Sequence, residues 1–222
     1  IALDPAFAAA YAELSDAQHL AVYYGWDVPA ATLDAAMRNA EKAVALEGSL
    51  PLAHAQLGRR LYMMKQFEQS AASLNRAIAL DTNYAIGYTA LAALYTFTGE
   101  YTLALGMADK ASRLDPYAVR PLLYKGMTAF AQEDYDEAIA VLKEGVDRNP
   151  NFSMAYQWLT AAHALAGNDD EARAAAANVL RISPKFYEGL TRFPFTDPSV
   201  LPRLFEGLRK AGLDAPDPPS PE

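Results

Sequence analysis

The chain has 222 residues, 52% of them hydrophobic, which is enough for one medium domain or two small ones with a sizeable buried core. A net charge of −8 and a pI near 4.9 have the wrong sign for neutralising phosphates, so neither nucleic acid nor an anionic membrane surface is expected as a partner. The absence of cysteine excludes a disulfide framework, a thiolate metal site and a cysteine nucleophile.

In chain order, Leu3-Asp4-Pro5 has the form of a helix end, repeated at Leu114-Asp115-Pro116. Residues 6–50 then read as two helices, with Tyr11, Leu14 and Ser15 on the first and Leu33, Ala36, Ala40 and Ala43 on the second. A lengthened connection around His19 to Pro29 separates them, and the first helix is expected to be extended. From residue 51 the sequence becomes self-similar with a period of 34: Gly58, Phe67, Ser70 and Ala77 return as Ala92, Tyr101, Ala104 and Ala111, then as Gly126, Tyr135, Ala138 and Gly145. The last return is Thr160, Asp169, Ala172 and Val179, so four units cover 51–84, 85–118, 119–152 and 153–186. Each unit is predicted to be two antiparallel helices, broken by polar or Gly-bearing turns such as Thr98-Gly99-Glu100 and closed by Pro116, Pro150 or Pro184. The recurring small residues mark the places where the two helices cross closely. Beyond Phe186 the period stops. A turn-rich link, Arg192 to Pro198, precedes an amphipathic helix over about 199–211 with Val200, Leu201, Leu204, Phe205 and Leu208 on one face. This 187–213 segment is expected to cap the open end of the array, and 214–222, rich in Pro, to be disordered.

The pattern resembles the tetratricopeptide repeat, a 34-residue helix–turn–helix unit. The resemblance implies an all-α fold, an α-solenoid coiled as a right-handed superhelix of about five repeats with a C-terminal capping helix. Gly48 and Thr82 depart from it where a closing Pro is usual, Lys125 where Leu is usual and Asp169 where an aromatic is usual.

Nothing in the sequence converges as a catalytic or metal site, and no cofactor or enzymatic activity is expected of this fragment. His19, His54 and His163 lack the neighbours of a ligand set. Glu133-Asp134, Asp136-Glu137 and Asp169-Asp170-Glu171 fall where they cap helices and complement their dipoles. With no basic, apolar leader, no residue run long enough to span a bilayer and no Met at Ile1, the chain reads as a piece of a longer cytoplasmic protein.

A solenoid of this kind binds on its concave face. The family's exposed groove positions, carried onto this chain, give a surface that is apolar and aromatic: Arg59, Tyr62, Met63, Phe97, Arg120, Tyr124, Met127, Phe130, Gln157 and Trp158 are its candidate partner-binding residues. The Lys and Asn set with which some family members clamp a C-terminal carboxylate is absent, since its positions hold Ala55, Gln56 and Arg59, then Thr89, Ala90 and Ala93. Met and aromatic side chains suit an apolar or amphipathic helical peptide, so the expected partner is a protein or peptide, with a second copy of the chain as the alternative through the 200–208 face.

Tyr23-Tyr24-Gly25-Trp26-Asp27 with Ala31 to Leu46, and Phe193 to Pro198 with Leu204 to Leu213, also resemble the C-terminal repeat region of bacterial class III adenylate/guanylate cyclases. Related repeat tails follow winged-helix transcriptional regulators. The resemblance implies a regulatory interaction module in a signalling protein, and no cyclase residue lies within these positions.

Overall fold

A computed structural model of the chain describes residues 4–23, 32–185 and 187–215. Its secondary structure there is helical throughout: α1 (Ala8–Tyr23), α2 (Thr32–Leu46), α3 (Pro51–Met63), α4 (Phe67–Leu80), α5 (Ala85–Thr98) and α6 (Tyr101–Leu114). These are followed by α7 (Arg120–Ala131), α8 (Tyr135–Arg148), α9 (Ser153–Leu165), α10 (Asp169–Ile182), the short α11 (Tyr187–Leu190) and α12 (Val200–Lys210). No helix among the described residues is long and apolar enough to cross a membrane.

Consecutive helices pair as hairpins from α1·α2 to α9·α10, and each pair packs on the next. The first helices also touch one another in series, α1·α3, α3·α5, α5·α7 and α7·α9, and so form an inner layer. The result is an α-solenoid of about five helical hairpins plus a C-terminal segment. α1 has 16 residues against 12 to 14 in the other first helices, while the expected insertion falls mostly on 24–31, outside the described residues.

The period is written into the backbone. Phe67, Tyr101, Tyr135 and Asp169 each open a second helix. Just past the end of each first helix from α3 onward, the chain turns through a left-handed residue: Lys65 (φ 59°), Gly99 (φ 82°), Glu133 (φ 62°) and Gly167 (φ 83°). The next amide then reaches back to the helix, Gln66 to the Leu61 carbonyl, Glu100 to Tyr95, Asp134 to Ala129 and Asn168 to His163, at 2.9–3.0 Å. This satisfies carbonyls that a helix end otherwise leaves open. Asp134 also caps α8, its Oδ1 accepting from the Glu137 amide at 3.1 Å. At the ends of second helices Asp81, Asp115 and Asn149 accept from the amide two residues on, and Asp4 makes the same turn.

Within each hairpin the crossing is matched by size. A Cβ on Gly58 would lie 2.5 Å from Leu74 Cγ, and one on Gly126 would lie 2.4 Å from Leu142 Cγ. In the other two units the equivalent first-helix residues carry a side chain, Ala92 and Thr160, and the equivalents of the leucines are Ala108 and Ala176, all buried. A large residue opposite glycine alternates with two smaller ones, which keeps the volume at the crossing nearly constant.

Candidate functional site

α3, α5, α7 and α9 turn the candidate residues inward, as their phase requires, but they do not leave them open. Phe97, Met127, Phe130 and Trp158 are completely or almost completely buried, as are Gln157, Tyr62 and Tyr124. Met63 is half-buried, and Arg120, at the start of α7, is partly exposed. The expectation of an exposed groove is therefore corrected. Over Phe97 and Trp158 the cover is the C-terminal segment, which lies in the groove.

After α10 the chain doubles back across the inner layer. α11 packs on α1, at the far end of the array. Residues 193–198 then run over α5 and α9: the Phe193 and Phe195 rings sit 5.8 and 5.1 Å from Phe97 and 5.9 and 5.8 Å from Trp158. Tyr62 (5.4 Å) and Tyr124 (6.4 Å) flank Phe97, and Phe130 stands edge-on to Trp158 at 5.1 Å, so an aromatic cluster spans the groove. The Thr196 amide and hydroxyl both donate to the Phe97 carbonyl, at 2.9 and 3.2 Å.

α12 completes the filling. The C-terminal helix forms as expected, and what it covers is the inner helix α9 of the last hairpin. Val200, Leu204, Phe205 and Leu208 are fully buried, so the face considered for pairing two chains is occupied within one. Gly207 allows the contact: a Cβ there would lie 2.7 Å from both Cα and the carbonyl oxygen of Ala161. Arg203 donates to the Ala131 carbonyl at 2.9 Å and pairs with Glu133 at 3.2 Å. Phe97 and Ala131 hold the same position in successive units, so the segment caps two equivalent helix ends, once with a threonine and once with a guanidinium. Ala215, expected in a disordered tail, is buried, and 216–222 lie outside the described residues.

No periodicity marks Phe193, Phe195, Thr196, Arg203 and Gly207 as groove residues. Two phenylalanines around one proline in a link otherwise full of turn residues were the available signal. A polar cluster escapes the sequence pattern as well. Asp16 on α1 accepts from Arg59 at 2.6 Å, and Arg59 also donates to Gln56 at 3.1 Å. Burial is the largest influence on Arg59 and works against its charge, but Asp16, Tyr62 and Tyr124 together outweigh it and the guanidinium holds its proton more tightly than usual. Arg60, next to it, is pushed down to about 9 by burial and then by repulsion from Arg59. Burial, followed by Arg60, Arg59, Arg120 and Arg192, holds the His19 imidazole well below its ordinary range and therefore neutral. His54 Nε2 lies 3.0 Å from the Gly48 carbonyl, and His163 Nδ1 lies 3.4 Å from the Asn168 side-chain Nδ2, so both are engaged locally.

Residues 129–188 match the tetratricopeptide repeat family. The crystal structure of TTC0263, a thermophilic TPR protein of Thermus thermophilus, superposes with a TM-score of 0.69 at 20% identity, covering 91% of this chain and 99% of that one. Yeast Tom70 does so at 0.62 and 18% identity, over 89% of this chain and 43% of that one. In sequence, 94 residues, 42% of this chain, are 28% identical to Hsp70-Hsp90 organizing protein 1 of Glycine max and span 16% of that protein. The chain folds as an α-solenoid similar to those of solved tetratricopeptide-repeat proteins, and its sequence match to the repeat family lies in residues 129–188.

Proposed function

We propose that the chain is a protein-interaction module whose inner groove takes an apolar peptide bearing aromatic side chains, and that residues 187–215 occupy that groove until the partner displaces them. The observation that carries the reading is the seating of Phe193 and Phe195 between Phe97 and Trp158, beside the Thr196 bonds to the Phe97 carbonyl. Large rings in desolvated pockets with a few fixed polar bonds are how interaction sites concentrate affinity. α12 supplies the helical half of the same chemistry, an apolar face laid on α9. Arg59, Tyr62, Met63, Arg120, Tyr124, Met127, Phe130 and Gln157 frame the site, and the pairing of Arg59 with Asp16 disfavours an acidic C-terminus as the ligand. That the parent is a signalling protein such as a nucleotidyl cyclase rests on sequence resemblance alone; a cyclase domain with its metal-binding Asp pair in the upstream reading frame would support it.

A tethered segment competes at an effective concentration in the millimolar range. The test is a labelled peptide of residues 190–215 added to the intact chain and to Gly207→Leu, whose side chain would strike the α9 backbone and lift α12. The variant should bind the peptide at least about tenfold more tightly than the intact chain. A second variant, Phe193→Ala with Phe195→Ala, loosens the segment without touching the solenoid and should behave alike. Binding to none of the three, or equally to all, would reject the groove as a peptide site.

A further inference from the structure

A cavity of about 800 Å³ lies at the end of the groove that the C-terminal segment leaves unfilled, with Val22, Leu33, Met37 and Met63 on one side and Phe193 and Phe195 on the other. Its size falls within the range of small-molecule sites, and these walls are apolar. Its charges do not balance in the ordinary way. Arg60, in the wall, is only 4% exposed, and its Nη1 donates to the Ser15 carbonyl at 3.4 Å. Among the described residues its Nε and Nη2 find no acceptor, and Asp16, 3.8 Å from Nη2, is already engaged by Arg59 at 2.6 Å. Two guanidiniums therefore share one carboxylate.

The rest of the described lining does not supply the missing charge. Lys65 and Arg192 add positive groups, against Asp34 and Asp197, and Asp197 is turned to the amide and hydroxyl of Ser199 at 2.8 and 2.6 Å. His19, also in the wall, has an Nδ1 with no partner among the described residues. A buried cation short of a counter-ion is costly, and low-dielectric walls project its field into the space beside it. We propose that this cavity binds a small amphipathic carboxylate, its apolar body between α2, α3 and the two phenylalanines and its charge answering Arg60. Because half of the described wall is the C-terminal segment, such a ligand also holds that segment in the groove; this consequence rests on the competition described above, whereas the binding does not.

Calorimetric titration of the full chain with sodium octanoate, using 1-octanol as the uncharged control, tests it. Octanoate should bind one to one and at least about tenfold more tightly than octanol, the margin expected of a charge set against a guanidinium shielded from solvent. Arg60→Met should bring octanoate down to the level of octanol and leave octanol unchanged. If that variant does not fold, Arg192→Gln should weaken octanoate about twofold or more at low salt. Equal affinities in the intact chain, no octanoate binding up to about 10 mM, or no response to these substitutions overturns the proposal. The titration involves no peptide, so its failure is distinct from failure of the groove reading.

Discussion

Gly126 and Leu142 should behave as one unit. In Gly126→Ala the new methyl carbon would sit 2.4 Å from Leu142 Cγ, with Cδ2 at 2.6 Å and Cδ1 at 3.1 Å, where carbons settle at roughly 3.5–4.0 Å. Overpacking of this kind costs about 1–3 kcal/mol, set against about 1 kcal/mol gained in helix propensity. Leu142→Ala alone removes a fully buried side chain and should cost about 2–5 kcal/mol. The nearest atoms to the new methyl all belong to Leu142 and disappear in the second substitution. The double variant then has the Ala–Ala pairing that α5 and α6 use at Ala92 and Ala108, and should be no less stable than Leu142→Ala by itself. The expected coupling is about 1–3 kcal/mol in favour of the pair. Urea unfolding of the four proteins, followed by circular dichroism, measures it, and for a chain of this size each kcal/mol moves the Tm by about 2–4 °C. Single effects that add to within about 0.5 kcal/mol would refute the size-matching account.

Lys65→Gly should stabilise the fold by about 0.5–1 kcal/mol, because φ of 59° strains a side chain and not glycine; an unchanged or lower Tm would count against it. Stability should fall as pH drops below 6.5, the ordinary value for His19, because the unfolded chain then takes up a proton that the buried imidazole refuses. The loss levels off below the depressed folded value, and His163, also lowered by burial, adds to it. Urea midpoints between pH 7 and 5 should show a smaller slope in His19→Gln, and an identical slope would exclude His19 as its source.

The arrangement of hairpins was legible because packing repeats wherever the residues repeat. Gly58 and Gly126 announce the close crossings, and Gly99 and Gly167 announce the left-handed turn. Lys65 and Glu133 adopt the same turn with nothing in their identity to mark it, and the amide after each bonds back to its own helix as it does after the glycines. Phase also says which way Phe97, Tyr124 and Trp158 point. It does not say what lies over them, and that is decided by Phe193 and Phe195, in a link with no period to follow. The Asp16–Arg59 pair joins residues 43 apart and left no local pattern either.

A linear array of repeats has contacts between neighbours only, so its ends can melt while its middle holds, and its stability is close to a sum over units. Here α11 returns to α1, and Thr196 is bonded to Phe97, 99 residues away. Those links join the two ends of the array through its centre. Fraying of the first hairpin then exposes the last, so unfolding becomes more concerted than unit-by-unit melting, and folding has to wait for a long loop to close after the local hairpins have formed.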